Sequence, residues 1–306
     1  MSDLRERVPG HSLIDELLRQ WDLGTIRVEP ADSAVVIDEE ATGWFRGVLG
    51  ERRVAELLEP LGEGWTVLHS VPVGRGASDI DHVVIGPAGV FTINTKYSPG
   101  RDVWVGGYGM YVGGHKQHYV TNSIAEAKRA AVLLSRESRM TVPVVSIIVF
   151  VDPGRITVKA KPGGDHDDPE IVVVSARGLY ATLQRRREFS DEQVATIVDA
   201  ASRPSTWHTH PQPSSTGSHI TREFEALEEA VGPHVGAAVP VAAASRVGRK
   251  APRSMAPVRR TRAVSRRPSR SRRRKRSVLE RLLTELAAPL VGLAILWAVM
   301  TSITGR

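Results

Sequence analysis

Residues 78–96 read SDIDHVVIGPAGVFTINTK. Two runs, Ile80–Ile85 and Val90–Lys96, are rich in Val, Ile, Thr and Phe, and Gly-Pro-Ala-Gly separates them. That pattern predicts a β-hairpin. Pro87 fixes φ near −65°, which argues against a two-residue primed turn and for a four-residue loop, Gly86–Gly89. The loop pairs Ile85 with Val90, and counting outward sets Asp81 opposite Asn94 and Asp79 opposite Lys96. Opposite residues of an antiparallel pair share a face, with Cβ atoms about 5 Å apart. Residues two apart on a strand share it too. Asp79, Asp81, Asn94 and Lys96 therefore converge on one patch, and a register slip of one residue would scatter them.

Two carboxylates and an amide oxygen suit a hard cation such as Mg²⁺. A lysine beside it can orient or deprotonate a water, or steady a phosphorane-like transition state. The same residue types also allow a solvated strand face closed by a cross-strand salt bridge. Upstream, Thr42–Leu58 reads as a helix with Thr42 as N-cap. Trp44, Val48, Glu51, Ala55 and Leu58 form one stripe. Glu51 thus lies within an apolar face, where a carboxylate needs a partner or a metal. Gly50 beside it lets another segment approach closely.

Gly50-Glu51 on this helix, Ser78-Asp79-Ile80-Asp81-His82-Val83-Val84-Ile85-Gly86-Pro87, and Gly89-Val90-Phe91-Thr92-Ile93-Asn94-Thr95-Lys96 closely resemble the nuclease-related domain (NERD) family. That family is a branch of the restriction-endonuclease-like, PD-(D/E)xK group. The resemblance covers about residues 44 to 140. It implies an α/β fold, a restriction-endonuclease-like mixed sheet flanked by helices, and an activity in DNA processing. It also implies a helix Glu, a strand Asp and a Glu-x-Lys, which map to Glu51, Asp81, Asn94 and Lys96. Glu51, Asp81 and Asn94 would hold Mg²⁺, and Lys96 would assist the attacking water. The departure is Asn94, where the general pattern has Glu; an amide oxygen is a weaker, uncharged ligand. The family's later Asn-Pro-x-x-Gln appears as Asn122-Ser123-Ile124-Ala125-Glu126, which makes Glu126 a candidate for the missing carboxylate.

Around this core, Trp65–Val71 reads as a strand and Val73–Ala77 as a turn carrying Arg75. Asp102–Val105 begins a Gly/Tyr/Trp stretch that resembles a further hairpin, with Tyr108, Tyr111 and Tyr119 interleaved and His115, Lys116 and His118 following. Aromatics and bases together can stack on and clamp a nucleic-acid strand, or simply cover a sheet. The glycines match no Walker pattern, which excludes nucleoside triphosphate binding of that type. Asn122–Glu137 reads as a helix capped by Asn122. Pro143–Val151 reads as a fully buried strand, Lys159–Pro169 as a polar loop and Ile171–Val174 as a strand. Ala176–Arg187 and Asp191–Ala201 read as closing helices, the second capped by Ser190. This order of helix, strands, helix and strand is the one a restriction-endonuclease-like core requires, although other α/β folds share it.

The chain has 306 residues and no cysteine, so it holds no disulfide framework and no thiolate metal site. Its net charge of +7 hides two opposite parts. Residues 245–281 carry 16 Lys and Arg against one Glu; the rest has 25 basic and 33 acidic residues, a net of −8. The expected organisation is an N-terminal extension over 1–41, a NERD-like nuclease-fold domain over 42–203, a disordered linker over 204–281 that is strongly basic from 246, and a transmembrane anchor over 282–306. Residues 286–303, LAAPLVGLAILWAVMTSI, carry no charge and as a helix would span about 27 Å. The basic run before them predicts a single-pass cell-membrane protein with its domain in the cytoplasm and affinity for anionic lipids. Three functions compete: a Mg²⁺-dependent phosphodiester hydrolase acting on DNA, a catalytically weakened module that binds nucleic acid or a protein partner at the membrane, and a domain accessory to a nucleic-acid-binding basic tail.

Overall fold

The computed structural model describes residues 3–22, 27–29, 34–36, 39–74, 78–209 and 216–231, all within the compact unit Met1–Ala244. Helix α1 (His11–Asp22) is followed by a two-stranded ribbon, β1 (Arg27–Glu29) and β2 (Ala34–Val36), and by α2 (Glu39–Leu58). Then come β3 (Thr66–Pro72), β4 (Asp79–Gly86), β5 (Gly89–Tyr97), β6 (Val103–Gly106), β7 (Gly109–Val112) and β8 (His115–Gln117). Helix α3 (Tyr119–Ser138), β9 (Val144–Val151), β10 (Ile156–Val158) and β11 (Ile171–Ser175) follow. Four helices close the described chain: α4 (Leu179–Leu183), α5 (Asp191–Ser202), α6 (Pro204–Trp207) and α7 (Gly217–Val231).

The hairpin β4–β5 sits inside a five-stranded mixed sheet of order β11-β9-β5-β4-β3. β3, β4 and β5 form an antiparallel meander, and β9 and β11 run parallel to β5. Ile85 pairs with Val90 as the sequence predicts, and the ladder extends one pair further to Gly86–Gly89. The connection is therefore the two residues Pro87 and Ala88, tighter than the expected loop, in an unchanged register. Gly89 absorbs the strain at φ 136°, a value open to glycine.

Each face of this sheet meets a different layer. Val54 and Leu58 of α2 pack with Val84, Phe91, Ile93, Ile147, Val149 and Leu183 on one side. Ala127, Ala130 and Leu134 of α3, with Val194, Ile197 and Ala201 of α5, cover Val83, Ile85 and Val90 on the other. β9 is apolar along its length because α2 lies on one of its faces and the α3 layer on the other. Such side chains each contribute about 1.5–3 kcal/mol through burial.

The Gly/Tyr/Trp stretch forms its own sheet, of order β10-β6-β7-β8. Val103, Val105, Met110 and Val112 form its inner face, packed on Val120 and Ile124 of α3 and on Ile148 and Phe150 of β9.

Several boundaries differ from the sequence reading. α2 starts at Glu39, three residues before the predicted cap Thr42. α3 starts at Tyr119, and Asn122 is inside it, donating its backbone N–H to His118 O. The first closing helix is only Leu179–Leu183; Gln184 leaves helical geometry, and Arg185 turns to a two-point ion pair with Glu170. Ser190 caps α5 with a full capping box, as predicted.

The linker predicted from residue 204 needs correction at its start. Trp207 is buried, its indole N–H donating to Ala201 O. In α7, Ile220, Phe224 and Leu227 recur at i, i+4 and i+7 and bury against Ile14, Leu17 and Phe45. The Phe45 and Phe224 rings lie 5.3 Å apart, and Arg52 pairs with Glu228. The sequence suggests a short isolated helix over Thr221–Val231; the structure starts it at Gly217 and packs it against α1 and α2. The basic run and the predicted anchor lie outside the described residues, and no described helix is long and apolar enough to cross a membrane.

Candidate active site

The sheet is broken where the sequence-predicted patch lies. The β4–β5 ladder ends at the His82–Ile93 pair. Continuing the same count sets Asp81 across from Asn94 and Asp79 across from Lys96, but the backbones have parted. The Asp81 carboxylate instead accepts the Thr95 N–H. On its other side, β3 pairs His69 with His82 and Val71 with Ile80, and the Ser70–Asp81 pair between them is missing. Ser70 stands at φ 45°, in the left-handed region, an arrangement that costs a non-glycine residue about 1–3 kcal/mol. Its freed carbonyl accepts Arg7 Nε at 2.7 Å. Asp81 thus sits between two interrupted ladders, where its side chain replaces backbone partners.

Glu51 reaches this break from α2. Gly50 brings the helix against β5: a Cβ there would stand 3.2 Å from Tyr97 Cβ and 3.3 Å from Thr95 Cγ2. Glu51 is 4% exposed. Its Oε2 accepts the Gly10 N–H at 2.9 Å and the Ser70 hydroxyl at 3.4 Å. Gly10 has φ 74°, and a Cβ on it would lie 2.9 Å from Val48 Cγ1. Only glycine presents its N–H there without displacing α2.

Glu126 completes the group from α3. Asn94 Nδ2 donates to Glu126 Oε2 at 3.4 Å. The residue standing in place of the family carboxylate therefore holds another carboxylate. Lys96 Nζ donates to Thr95 O at 3.0 Å and lies 4.9 Å from the Tyr119 ring centroid.

The electrostatics follow from four carboxyl groups sharing one lysine. Burial raises the Glu51 carboxyl well above its ordinary value, and the charges of Asp81 and Asp79 add to this. Asp79 is pushed up to about 6 by burial and by Asp81, against the opposing Ser12 hydroxyl and Arg7. Glu126 is pushed up to about 8 by burial and by Asp81, against the opposing Asn94 amide and Lys96. Burial raises Asp81 too, while Lys96 and the Thr95 N–H pull the other way. Two carboxyl oxygens, Asp79 Oδ2 and Glu126 Oε1, are buried without a hydrogen-bond partner. A site so acidic must hold protons or attract a cation.

The histidine of the same motif has a different part. His82 and His69 face each other with Nδ1 atoms 2.9 Å apart and rings edge-on. Burial depresses both, His69 to about 4. The pair is neutral, one ring donating to the other across β3 and β4.

The structure thus brings Glu51, Asp79, Asp81, Asn94 and Lys96 into one neighbourhood with Glu126. Among the described residues no three His, Asp or Glu side chains already converge as ready ligands of one ion. The supports Arg7, Gly10, Ser12 and Ser70 were not legible: three come from the predicted extension, and Ser70 looks like any strand serine. Arg75 of the predicted turn lies outside the described residues. Residues 46–151 match the family described as the nuclease-related domain, NERD. The matched stretch contains all four carboxylates and Lys96 and stops at the end of β9. Comparison with curated proteins and with solved structures finds no match.

Proposed function

We propose, from the premise that residues 46–151 are a nuclease-related domain, that the chain hydrolyses phosphodiester bonds of nucleic acid, DNA first, with the help of Mg²⁺. The observation that carries this reading is the pair of orphaned carboxyl oxygens, Asp79 Oδ2 and Glu126 Oε1, in a group of four carboxyls with one lysine. An all-oxygen, negatively charged donor set with unsatisfied buried atoms fits a hard divalent cation. Glu51, Asp81 and Glu126 would close on it, beside the free Asp79 oxygen, with Glu126 in the place the family pattern gives to position 94. When bound, the cation would supply Lewis acidity and a more acidic water.

The protein groups supply the rest. Gly10 and Ser70 fix Glu51, and the Thr95 N–H fixes Asp81, so little reorganisation remains during reaction. Asn94 orients Glu126. Lys96, anchored on Thr95 O and on the Tyr119 face, orients the attacking water and opposes the charge that grows on the phosphate. The proposal includes a membrane anchor at residues 282–306, supported by the uncharged run and its basic flank; retention of the full-length protein in the membrane fraction until detergent is added would test it.

A second reading is a binding module without turnover. It is favoured by the carboxylates' engagement with protein donors and by the uncharged Asn94. One assay separates the two: the full chain with single- and double-stranded DNA and RNA, in Mg²⁺, Mn²⁺ or EDTA, beside Lys96→Ala. Cleavage that needs both metal and Lys96 supports the hydrolase. Retained binding with no turnover on any substrate supports the module.

A further inference from the structure

The four-stranded sheet buries one face and turns the other to solvent. Register sets Thr157, Trp104, Tyr111 and Lys116 in one row across that outer face. Trp104 and Tyr111 are 40% and 39% exposed. The hydrophobic core beneath is already closed by Val103, Val105, Met110 and Val112, so these rings are not needed to cover it. Glycines shape the row. A Cβ on Gly106 would stand 2.7 Å from the Trp104 ring, and one on Gly109 would stand 3.6 Å from it. The indole therefore lies down on bare backbone and leaves a flat side outward. Tyr111 meets it edge-on, centroids 5.7 Å apart. Tyr108 is also exposed and is pinned by its hydroxyl, which donates to Asp168 at 2.7 Å.

The charge around the row runs against the rest of the folded unit. Residues 99–118 and 152–161 carry Arg101, Lys116, Arg155, Lys159 and Lys161 against Asp102 and Asp152, and the acidic loop of Asp165 and Asp168 bounds this charge at Tyr108. All five basic side chains are exposed, and none is in an ion pair among the described residues. Outside residues 245–281 the chain as a whole is acidic, so this positive patch is local.

We propose that this face binds single-stranded nucleic acid, with unpaired bases stacked on Trp104 and Tyr111 and phosphates along the surrounding lysines and arginines. The proposal rests on the reading of the domain as one that handles nucleic acid. Flat rings on a sheet offer a π-face to any unpaired base, whereas bases stacked in a duplex present none. The row also leads into the site: β8 passes directly into α3, whose Tyr119 underlies Lys96 and whose Glu126 meets Asn94.

The test uses the full chain in EDTA, so that binding is read without cleavage, and about 0.3 M salt to weaken purely ionic contacts. A fluorescent 20-nucleotide oligo-dT and a duplex of equal length serve as probes. Trp104→Ala/Tyr111→Ala should weaken oligo-dT binding about tenfold or more, since each base–aromatic stack contributes substantially. Trp104→Phe/Tyr111→Phe should stay within about threefold of the parent, and duplex binding should not change. An oligonucleotide carrying 5-iodouracil should cross-link to the peptide holding Trp104 and Tyr111. Unchanged oligo-dT affinity in the folded alanine variant, or cross-links confined to residues 245–281, would overturn the proposal. Binding is read without metal or turnover, so a failure of catalysis and a failure of this surface are told apart.

Discussion

The two larger sheets among the described residues place their polar chemistry in opposite ways. The five-stranded sheet is covered on both faces, and its functional groups collect where hydrogen bonding between strands fails, around Ser70, Asp81 and Thr95. The four-stranded sheet keeps its ladders whole and covers one face only, so its distinctive groups lie on an intact outer surface. A buried break creates strong, coupled and costly electrostatics. An intact exposed face creates a contact area whose residues can be exchanged at small cost to stability.

The sharpest break in that contrast is Lys96→Ala. Loss of metal-dependent cleavage by about a hundredfold or more, in a protein that melts within a few degrees of the parent, is expected of a group that acts on developing charge. Cleavage at the parent rate would remove the proposed mechanism.

Proton linkage comes next. Glu126 and Asp79 keep their protons up to about pH 8 and 6, against ordinary values of 4.5 and 3.8. Between the ordinary and the raised values the folded protein holds protons that the unfolded chain has released. Stability is therefore full below about pH 4 as far as these two groups are concerned, and it falls as pH rises towards 8. Metal-free protein should melt several degrees lower at pH 8.5 than at pH 6, and Mg²⁺ should recover most of the difference. Glu126→Gln should flatten the decline. A melting curve that rises over this interval without metal would contradict the picture of crowded carboxyls.

Gly10→Ala probes the support of the break. A side chain at φ 74° against Val48 should cost about 1–3 kcal/mol, read as a lower denaturant midpoint, and should lower cleavage with it. Smallest of all, Trp104→Ala should shift the midpoint by less than about 0.5 kcal/mol. A large loss there would mean that the outer rings hold the second sheet together, and the two sheets would then be less different than they look.

Much of the break was legible in the chain. The register of β4 and β5 follows from Gly86-Pro87-Ala88-Gly89 and from alternation of apolar residues, so Asp79, Asp81, Asn94 and Lys96 fall at the same end of the hairpin, although the ladder opens at His82–Ile93 before their pairs form. Glu51 announced itself as a carboxylate in an apolar stripe. Asn94 raised the question of a missing acid, and its amide donates to Glu126, 32 residues away in sequence. What stayed hidden was non-local. Nothing in a Pro9-Gly10 turn says that its N–H will serve a glutamate on another helix. Nothing in Leu68-His69-Ser70-Val71 says that the serine will leave the ladder. A short helix over Thr221–Val231 was legible in the sequence, but its packing on α1 and α2 was not.

The grip of Gly10 on Glu51 separates two senses of the word domain. Recurrence across proteins draws the boundary at residues 46 and 151. The packing draws it elsewhere, since a piece starting at residue 46 would lack both the N–H that holds Glu51 and the helix that covers Val48. The heritable unit is thus smaller than the unit that can melt as one. Partners for the buried glutamate of a transplanted segment would have to be supplied anew by whatever host received it.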